Sequence, residues 1–434
     1  MLTASAAWSQ VQPAANGGSN GGSDSQMATP PPVSGGAYPT GVGSETKSNV
    51  LSFGINASVG YIDNLYPGGS AASISETTYA IHPSVAFDQI DGRQHRAFVY
   101  NSGYLFYRPT SALSASDQNA SVDYRYRLTP HVTIEGTDTF DKGSTIFGLP
   151  TSPFGGSVSG SPQSTTPGII LPFANQINNA ALVQMTDQIS ISTMVGASGS
   201  TTFLHYLDSA VSQGLNNSSS RGGSAFYNRR LSTSQYFGVN YNYSQLIASP
   251  TNAQSETLMH TISAFYTFYL KRTVSFSVSG GPQHYQVDES PYPTSSSWGP
   301  FFMASMGAQS FRTNFAVNYA QQVTGAGGLE GAFHSRSATA SARWQALRTW
   351  TAAASALYAT NRSVSPMAFF TALGGHSIAG TATVEHTLGR NLKIDFEYNR
   401  MHQSYRGVPA LANNPNTNNE FVSVSWQFQR PVGR

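Results

Sequence analysis

The sequence predicts an all-β fold, a transmembrane antiparallel up-and-down β-barrel of about 18 strands, with 16 as the alternative count. The first observation is strict alternation of apolar and polar residues, as where Phe53 and Ile55 flank Gly54. The second is that about 18 such runs follow one another, separated by short and long connections in turn. Short turns on one side and long loops on the other are typical of bacterial outer-membrane barrels.

The composition supports the same class of fold. Of the 434 residues, 10% are charged and 12% are aromatic, whereas about 25% charged residues are usual in soluble domains. The alanine-rich, low-charge stretch 349–360 falls short of the roughly 18–20 apolar residues that a spanning helix needs. A closed barrel is the other structure that pairs every backbone group in lipid. The lack of cysteine fits an oxidising compartment, and a net charge of +2 gives no reason to expect nucleic acid as a partner.

The alternating runs give one predicted strand each. In chain order they cover residues 51–61, 77–89, 95–107, 117–128, 131–140, 177–186, 189–198, 218–229, 234–245, 256–268, 273–285, 296–308, 313–322, 332–346, 350–360, 376–388, 392–401 and 419–428. The Gly, Pro, Asp and Asn residues that favour sharp reversals lie in most of the short turns, at 91–92, 129–130, 187–188, 347–349 and 389–391. The even number of strands predicts that both termini are periplasmic.

Three segments are predicted from composition. Residues 1–48 are rich in Gly, Ser and Pro and predict a flexible, low-complexity periplasmic tail. Residues 49–428 form the barrel, and 429–434 form a short C-terminal extension. We expect the export signal to be cleaved or to lie upstream. The last strand closes on aromatic residues, which resembles the terminal signal by which the barrel assembly machinery recognises outer-membrane barrels.

Polarity assigns the two faces of each strand. An Arg or Lys on the lipid face at mid-bilayer costs roughly 2–4 kcal/mol. The alternate positions that carry the charged residues of a strand must therefore face the lumen. Val122 and Ile394 are thereby placed outward. The predicted lumen-lining residues are Asp123, Arg125, Arg127, Glu135, Arg343, Glu385, Lys393, Asp395 and Glu397.

Aromatic residues near the short turns predict an interfacial girdle on the periplasmic side. They are Trp344, Trp350, Trp426 and Phe428. Packing between strands is the alternative explanation for these aromatics. His260 falls on an outward register, so either a bulge shifts its strand or a neutral imidazole is sheltered there.

Motifs for catalysis and for metal binding are missing from the sequence. None of the ten histidines has the His-x-His or His-Glu-x-x-His spacing of a metal site, and no Gly-x-Ser-x-Gly elbow lies among the predicted strands and their connections. We therefore predict no catalytic residues, no metal, no cofactor and no enzymatic activity. The Gly-Gly pairs lie mostly in or beside connections and are not phosphate loops.

The third outer connection, 141–176, is the longest and is unusually apolar. Its part Pro153-Phe154-Gly155-Gly156 resembles the Pro-Glu-Phe-Gly-Gly stretch of general porins, whose third loop folds into the lumen. A loop this apolar should pack on the inside wall or on neighbouring loops. The predicted constriction residues are Ile146, Phe147, Phe154, Ile169, Ile170 and Phe173.

Three short motifs carry a family resemblance over roughly residues 50–428. They are Gly60-Tyr61-Ile62-Asp63-Asn64, His82-Pro83-Ser84-Val85 and Tyr126-Arg127-Leu128-Thr129-Pro130-His131. With them the chain resembles the beta-barrel porin 2 family of Gram-negative outer-membrane proteins, often linked to exopolysaccharide loci. The resemblance implies a barrel and an integral outer-membrane location.

The leading functional hypothesis is a channel for passive diffusion of small hydrophilic solutes. Eighteen strands close a backbone cylinder on the order of 35 Å across, wider than side chains alone fill. One alternative is a barrel for exopolysaccharide export or surface polysaccharide attachment. Another is a membrane-anchored surface binding protein. The expected partners are outer-membrane lipids and either small solutes or polysaccharide, and the oligomeric state stays open.

Overall fold

A computed structural model describes residues 49–64, 75–111, 114–143, 175–207, 216–249, 255–271, 273–289, 292–325, 332–364, 374–406 and 416–432. These ranges contain 18 strands: β1 (Val50–Ile62), β2 (Glu76–Asp91), β3 (Gln94–Arg108), β4 (Ala115–Arg127), β5 (Val132–Gly143), β6 (Gln176–Ser190), β7 (Thr193–Tyr206), β8 (Asn217–Ser232), β9 (Gln235–Ser249), β10 (Ser255–Lys271), β11 (Val274–Glu289), β12 (Ser295–Gln309), β13 (Thr313–Gly325), β14 (Ala332–Gln345), β15 (Trp350–Ser363), β16 (Gly374–Leu388), β17 (Leu392–Arg406) and β18 (Asn416–Pro431).

The strands form one closed antiparallel sheet. Each strand pairs with its neighbours in sequence, and β1 pairs with both β2 and β18. The backbone of Val432 donates to the carbonyl of Asn49 at 2.7 Å, next to the short connections. We call this the turn end of the barrel and the opposite rim the loop end. The predicted 18-stranded up-and-down barrel is therefore confirmed. Among the described residues, no helix is long and apolar enough to cross a membrane.

Two predicted boundaries are wrong. The turn expected at 187–188 lies instead at 191–192. The reason is a register shift after Asp187, beyond which β6 continues to Ser190, and Ser190 pairs with Thr193 of β7. The last strand also continues beyond Phe428. Residues 429–431 of the predicted extension pair with residues 50–52 of β1, since β1 begins early enough to offer them a backbone partner.

Each strand separates an exposed apolar face from a buried small or polar face. On β1, Phe53 and Ile55 are 45% and 41% exposed, whereas Asn56 is 2% exposed. The Asn56 side chain donates to Ser425 Oγ of β18 at 2.7 Å. Large exposed apolar side chains in a continuous band suit hydrocarbon, and the polar face is left for the lumen.

Candidate functional site

The inner face of the barrel carries the nine charged residues that the sequence predicts for the lumen. Their strand positions alternate with exposed outer residues such as Val122 and Phe396, at 43% and 48% exposure. All nine lie in the half of their strand nearer the turn end, on β4, β5, β14, β16 and β17: Asp123, Arg125, Arg127, Glu135, Arg343, Glu385, Lys393, Asp395 and Glu397.

A first charged cluster joins β2, β3, β4 and β5. Arg125 Nη2 lies 3.3 Å from Glu135 Oε1. The His95 ring stands between two carboxylates, with Nε2 3.1 Å from Asp88 Oδ2 and Nδ1 3.9 Å from Asp123 Oδ1. Sequence reasoning did not single out Asp88 and His95. Their inward register on the two strands that flank one short turn is the feature that could have found them.

A second charged cluster lies on β16 and β17, with Arg343 on the inner face of nearby β14. Lys393 Nζ lies 3.5 Å from Glu385 Oε1. Asp395 accepts a hydrogen bond from Ser423 Oγ at 3.4 Å, and Glu397 accepts one from Asn399 Nδ2 at 2.8 Å. These hydrogen bonds fix the carboxylates on the wall. The cluster holds three carboxylates against two cations.

The wall between the two clusters on the far side, from β6 to β13, has a neutral inner face. In the described residues of these strands, inward charges occur only near strand ends, at Arg230 and Glu289. Hydroxyl pairs line the wall between them. The Oγ atoms of Ser198 and Ser224 are 2.7 Å apart, and Thr267 Oγ1 is 2.8 Å from Ser277 Oγ.

Aromatic side chains also stand on this neutral wall. Phe226 lies across Gly196 of the neighbouring strand, and Phe265 lies across Gly238 in the same way. A Cβ added at either glycine would come within 2.4 Å of the aromatic ring, so only glycine leaves room for it. Tyr236 and Tyr269 add an edge-to-face pair at 5.8 Å nearer the turn end. The neutral wall therefore combines hydroxyl groups with flat apolar surfaces.

The barrel wall overlaps itself between β12 and β13. Pairing of these strands stops at Phe302 and Gln321. Residues 295–301 of β12 continue toward the loop end paired with β11 alone. Residues 322–325 of β13 continue paired with β14 alone. Near the loop end, β12 and β13 are therefore no longer hydrogen-bonded to each other.

The β13–β14 hairpin end lies on the lumenal side of this overlap. Val323 and His334 have outward parity, yet they contact inward-facing residues of β11 and β12. Tyr285 Oη lies 3.4 Å from His334 Nε2. A Cβ added at Gly299 of β12 would lie 3.0 Å from the His334 ring and 3.6 Å from Val323. The outer face of the hairpin therefore packs on the inner face of its neighbours.

A buried apolar cluster fixes the hairpin end in this position. It combines inner-face residues of β9 to β11 with outer-parity residues of β13 and β14: Leu246, Met259, Tyr285, Val287, Val323 and Ala332. Each is at most 7% exposed, and Val364 packs against them from the end of β15. A hairpin end that packs on the inner faces of β11 and β12 narrows the lumen at the loop end. Sequence reasoning missed this constriction, because the alternation of β13 gives no sign that its outer face is covered.

The predicted constriction loop cannot be compared with this hairpin. Its residues Ile146, Phe147, Phe154, Ile169, Ile170 and Phe173 lie outside the described residues. The narrowing that the described residues do contain comes from β13 and β14.

The outer face carries the predicted girdle residues at the turn end. Trp344, Trp350, Trp426 and Phe428 are between 41% and 55% exposed. Trp350 stacks on His386 of β16 at 4.2 Å between ring centroids. Their outward, exposed positions fit the lipid-facing girdle that the sequence predicts.

His260 keeps its outward register without a bulge. Pairing between β9 and β10 is continuous around it, with Tyr243 directly opposite. Its Nδ1 atom lies 2.8 Å from Tyr241 Oη, and its ring is 5.2 Å from that of Tyr243. Of the two explanations given above, shelter of the imidazole by aromatic neighbours fits this geometry. In the described ranges, no three His, Asp or Glu side chains converge as metal ligands would.

Comparison with known proteins gives solved barrels of low similarity. No protein-family model matches the chain, and no curated protein matches it. The FrpB iron transporter of Neisseria meningitidis is 10% identical over 87% of this chain and 82% of its own, with a TM-score of 0.44. OccK2 (OpdF) of Pseudomonas aeruginosa is 10% identical over 88% of this chain and 98% of its own, with a TM-score of 0.43.

The outer membrane protein opdK of the same organism is 7% identical over 88% of this chain and 99% of its own, with a TM-score of 0.43. At these values the neighbours do not decide the function of this chain. The resemblance to the beta-barrel porin 2 family stays a prediction.

Proposed function

We propose that this protein is an integral outer-membrane channel through which small hydrophilic solutes diffuse passively. One observation carries the proposal: a closed barrel of 18 strands has large apolar residues exposed outside and polar residues inside. A lipid-facing band and a polar lumen are what a water-filled pore requires. The start of β1 and the end of β18 lie at the turn end, which would then be periplasmic, and we propose that both termini are periplasmic with it.

The lumen should admit small solutes only. The backbone cylinder is on the order of 35 Å across for 18 strands, but the β13–β14 hairpin packs on the inner faces of β11 and β12 at the loop end. The narrowed mouth sets the size limit, and the wide turn end offers no comparable barrier among the described residues.

The distribution of charge favours uncharged, hydroxyl-bearing solutes such as sugars. On the neutral wall, Ser198 and Ser224 offer hydroxyl groups, while Phe226 and Phe265 offer flat apolar surfaces. Hydroxyl groups of a sugar can hydrogen-bond to the former, and its C–H faces can pack on the latter. The charged clusters on the opposite arc would add only a weak preference among ions.

No residue is assigned a catalytic role in this proposal, and neither a metal nor a cofactor is needed. Outer-membrane lipids and the barrel assembly machinery are the expected partners besides the solute. Small solutes pass without any conformational cycle, so conduction should continue without an energy source.

Reconstitution tests the proposal. The purified chain, placed in liposomes and in planar bilayers, should give stepwise conductance and should swell liposomes in monosaccharides faster than in tetrasaccharides. Empty liposomes are the control. If protein that migrates as a folded barrel gives neither swelling nor conductance, the channel is rejected and an anchored binding protein is favoured. Conductance in bilayers, together with loss of surface polymer in a deletion strain, would instead support polysaccharide export.

A further inference from the structure

The outward face of β14 to β17 carries a dense group of basic side chains between the middle of the strands and the loop end. We call it the outer basic patch, and it comprises Arg336, Arg362, Arg400, Arg406, His376 and His402. The four arginines are all exposed. Within the described part of the chain, none of them lies within 4.0 Å of a carboxylate. The hydrogen-bond partner of His402 is a neutral amide, with Nδ1 2.9 Å from Asn416 Oδ1.

No carboxylate shares this face among the described residues of β14 to β17, because Glu385, Asp395 and Glu397 all face inward. The nearest outward carboxylate around the wall is Glu420 on β18, opposite Tyr398. Other outward acids at the loop end are Asp63, whose carboxylate accepts hydrogen bonds from Asn418 opposite Arg400, and Asp138, Glu256 and Asp288. Since Glu420 also lies diagonal to Arg400, the uncompensated positive charge of the patch is that of Arg336, Arg362 and Arg406.

The pairing of the strands lets two arginines reach one anion. Arg362 of β15 stands opposite Gly374 of β16, which stands opposite Arg406 of β17. The two arginine backbones are thus two strand spacings apart, about 10 Å. Gly374 puts no side chain between them. One position nearer the turn end, His376 lies on the same face, with its ring 5.6 Å from that of His402.

Along each of β15, β16 and β17, an exposed apolar side chain lies on the turn side of a basic one. Tyr358 and Ile378 face each other across β15 and β16 at 49% and 48% exposure, and Phe396 of β17 is 48% exposed. Cations therefore sit where the apolar band ends. This order of apolar surface and then positive charge matches a lipid whose acyl chains lie against the barrel and whose phosphate lies at the membrane surface.

We propose that the outer basic patch binds the phosphate groups of a phosphorylated lipid of the outer leaflet. Arginine suits this ligand because its planar guanidinium can donate two hydrogen bonds to one phosphate. The proposal rests on the outer-membrane location proposed above, not on conduction. A pore that fails to conduct would leave it standing.

Native mass spectrometry of the full chain in detergent tests the binding. Diphosphorylated lipid A is the probe, and a neutral glycolipid with the same acyl chains is the comparison. Wild type should retain the phosphorylated lipid selectively. Each Arg→Gln change at 362, 400 or 406 should weaken retention roughly fivefold, as expected for about 1 kcal/mol per basic residue near an anionic surface. Arg221→Gln, exposed and outward at the loop end of β8, is the matched control and should bind like wild type.

Equal retention of the neutral glycolipid, or equal loss in the Arg221→Gln control, would overturn the proposal. Displacement of the lipid by millimolar inorganic phosphate would also overturn it, because it would show a general anion site that does not need a lipid. If the variant at 362 or 400 fails to migrate as a folded barrel, the Arg406→Gln variant decides. Arg406 lies at the end of β17, where its loss removes no pairing.

Discussion

The side-chain amide of Gln283 pairs with the backbone of Val323 as a neighbouring strand would. Gln283 Nε2 donates to the Val323 carbonyl at 3.0 Å, and the Val323 amide donates to Gln283 Oε1 at 2.7 Å. Both groups are buried, and β13 has no backbone partner on that side beyond Gln321. The inward Gln283 side chain of β11 thus satisfies the backbone hydrogen-bonding groups of Val323, which the overlap leaves without a strand partner. These two bonds hold the β13–β14 hairpin against the inner wall.

Gln283→Met should loosen the hairpin. Methionine has similar length but leaves the buried amide and carbonyl of Val323 unsatisfied, at a cost of about 1–3 kcal/mol. We expect larger and noisier single-channel currents in planar bilayers. Gln286→Met, an outward position on the same strand, is the control and should leave the currents unchanged. Identical traces for the two variants would show that the hairpin does not limit conduction.

Phe396→Arg should impair barrel assembly, whereas Glu397→Gln should be tolerated. Phe396 faces outward between Val384 and Val422, so the substitution places a charge in the apolar band. The expected cost is roughly 2–4 kcal/mol. The next residue faces the lumen, where loss of a charge removes no packing. Heat-modifiable mobility on gels measures the folded fraction, and equal losses in both variants would contradict the assigned register.

Asp395→Asn should shift ion selectivity toward anions, and Arg125→Gln should shift it toward cations. The first change removes a negative charge from the inner wall, and the second leaves Glu135 without its 3.3 Å partner. Reversal potentials under a salt gradient measure both shifts. The shifts should shrink as salt rises, because the Debye length falls from about 10 Å at 0.1 M to about 3 Å at 1 M. Shifts of the same sign would place one of the two residues away from the conducting path.

Replacing residues 145–172 with a short Gly-Ser linker should raise conductance if that loop also enters the lumen. The apolar composition of the loop motivates this prediction, since such a segment needs a surface to cover it. Liposome swelling with sized sugars separates the two constrictions. Faster swelling with the loop deletion but not with Gln283→Met would show that the loop limits the passage of solutes. Faster swelling with Gln283→Met alone would show that the β13–β14 hairpin limits it.

The alternation of residues was enough to predict the barrel from sequence, because in a strand the side-chain direction follows directly from position. The inward placement of Asp123 and Lys393 and the outward placement of Val122 and Ile394 follow from that period of two. The turn at 191–192 was misplaced, since a register shift after Asp187 adds residues that alternation alone does not count. Asp88 and His95 share the inward register, but their contact depends on how β2 and β3 pair.

By itself the sequence determined the strand number, the polarity of the two faces and the aromatic residues at the turn end. All of these depend on one residue at a time and on the alternation of neighbours. Only the tertiary structure decided that the β13–β14 hairpin lies inside the wall and that Gln283 closes its free edge. It also decided that Arg362 of β15 and Arg406 of β17 stand on either side of Gly374. These features depend on contacts between segments far apart in sequence, and local periodicity carries no record of such contacts.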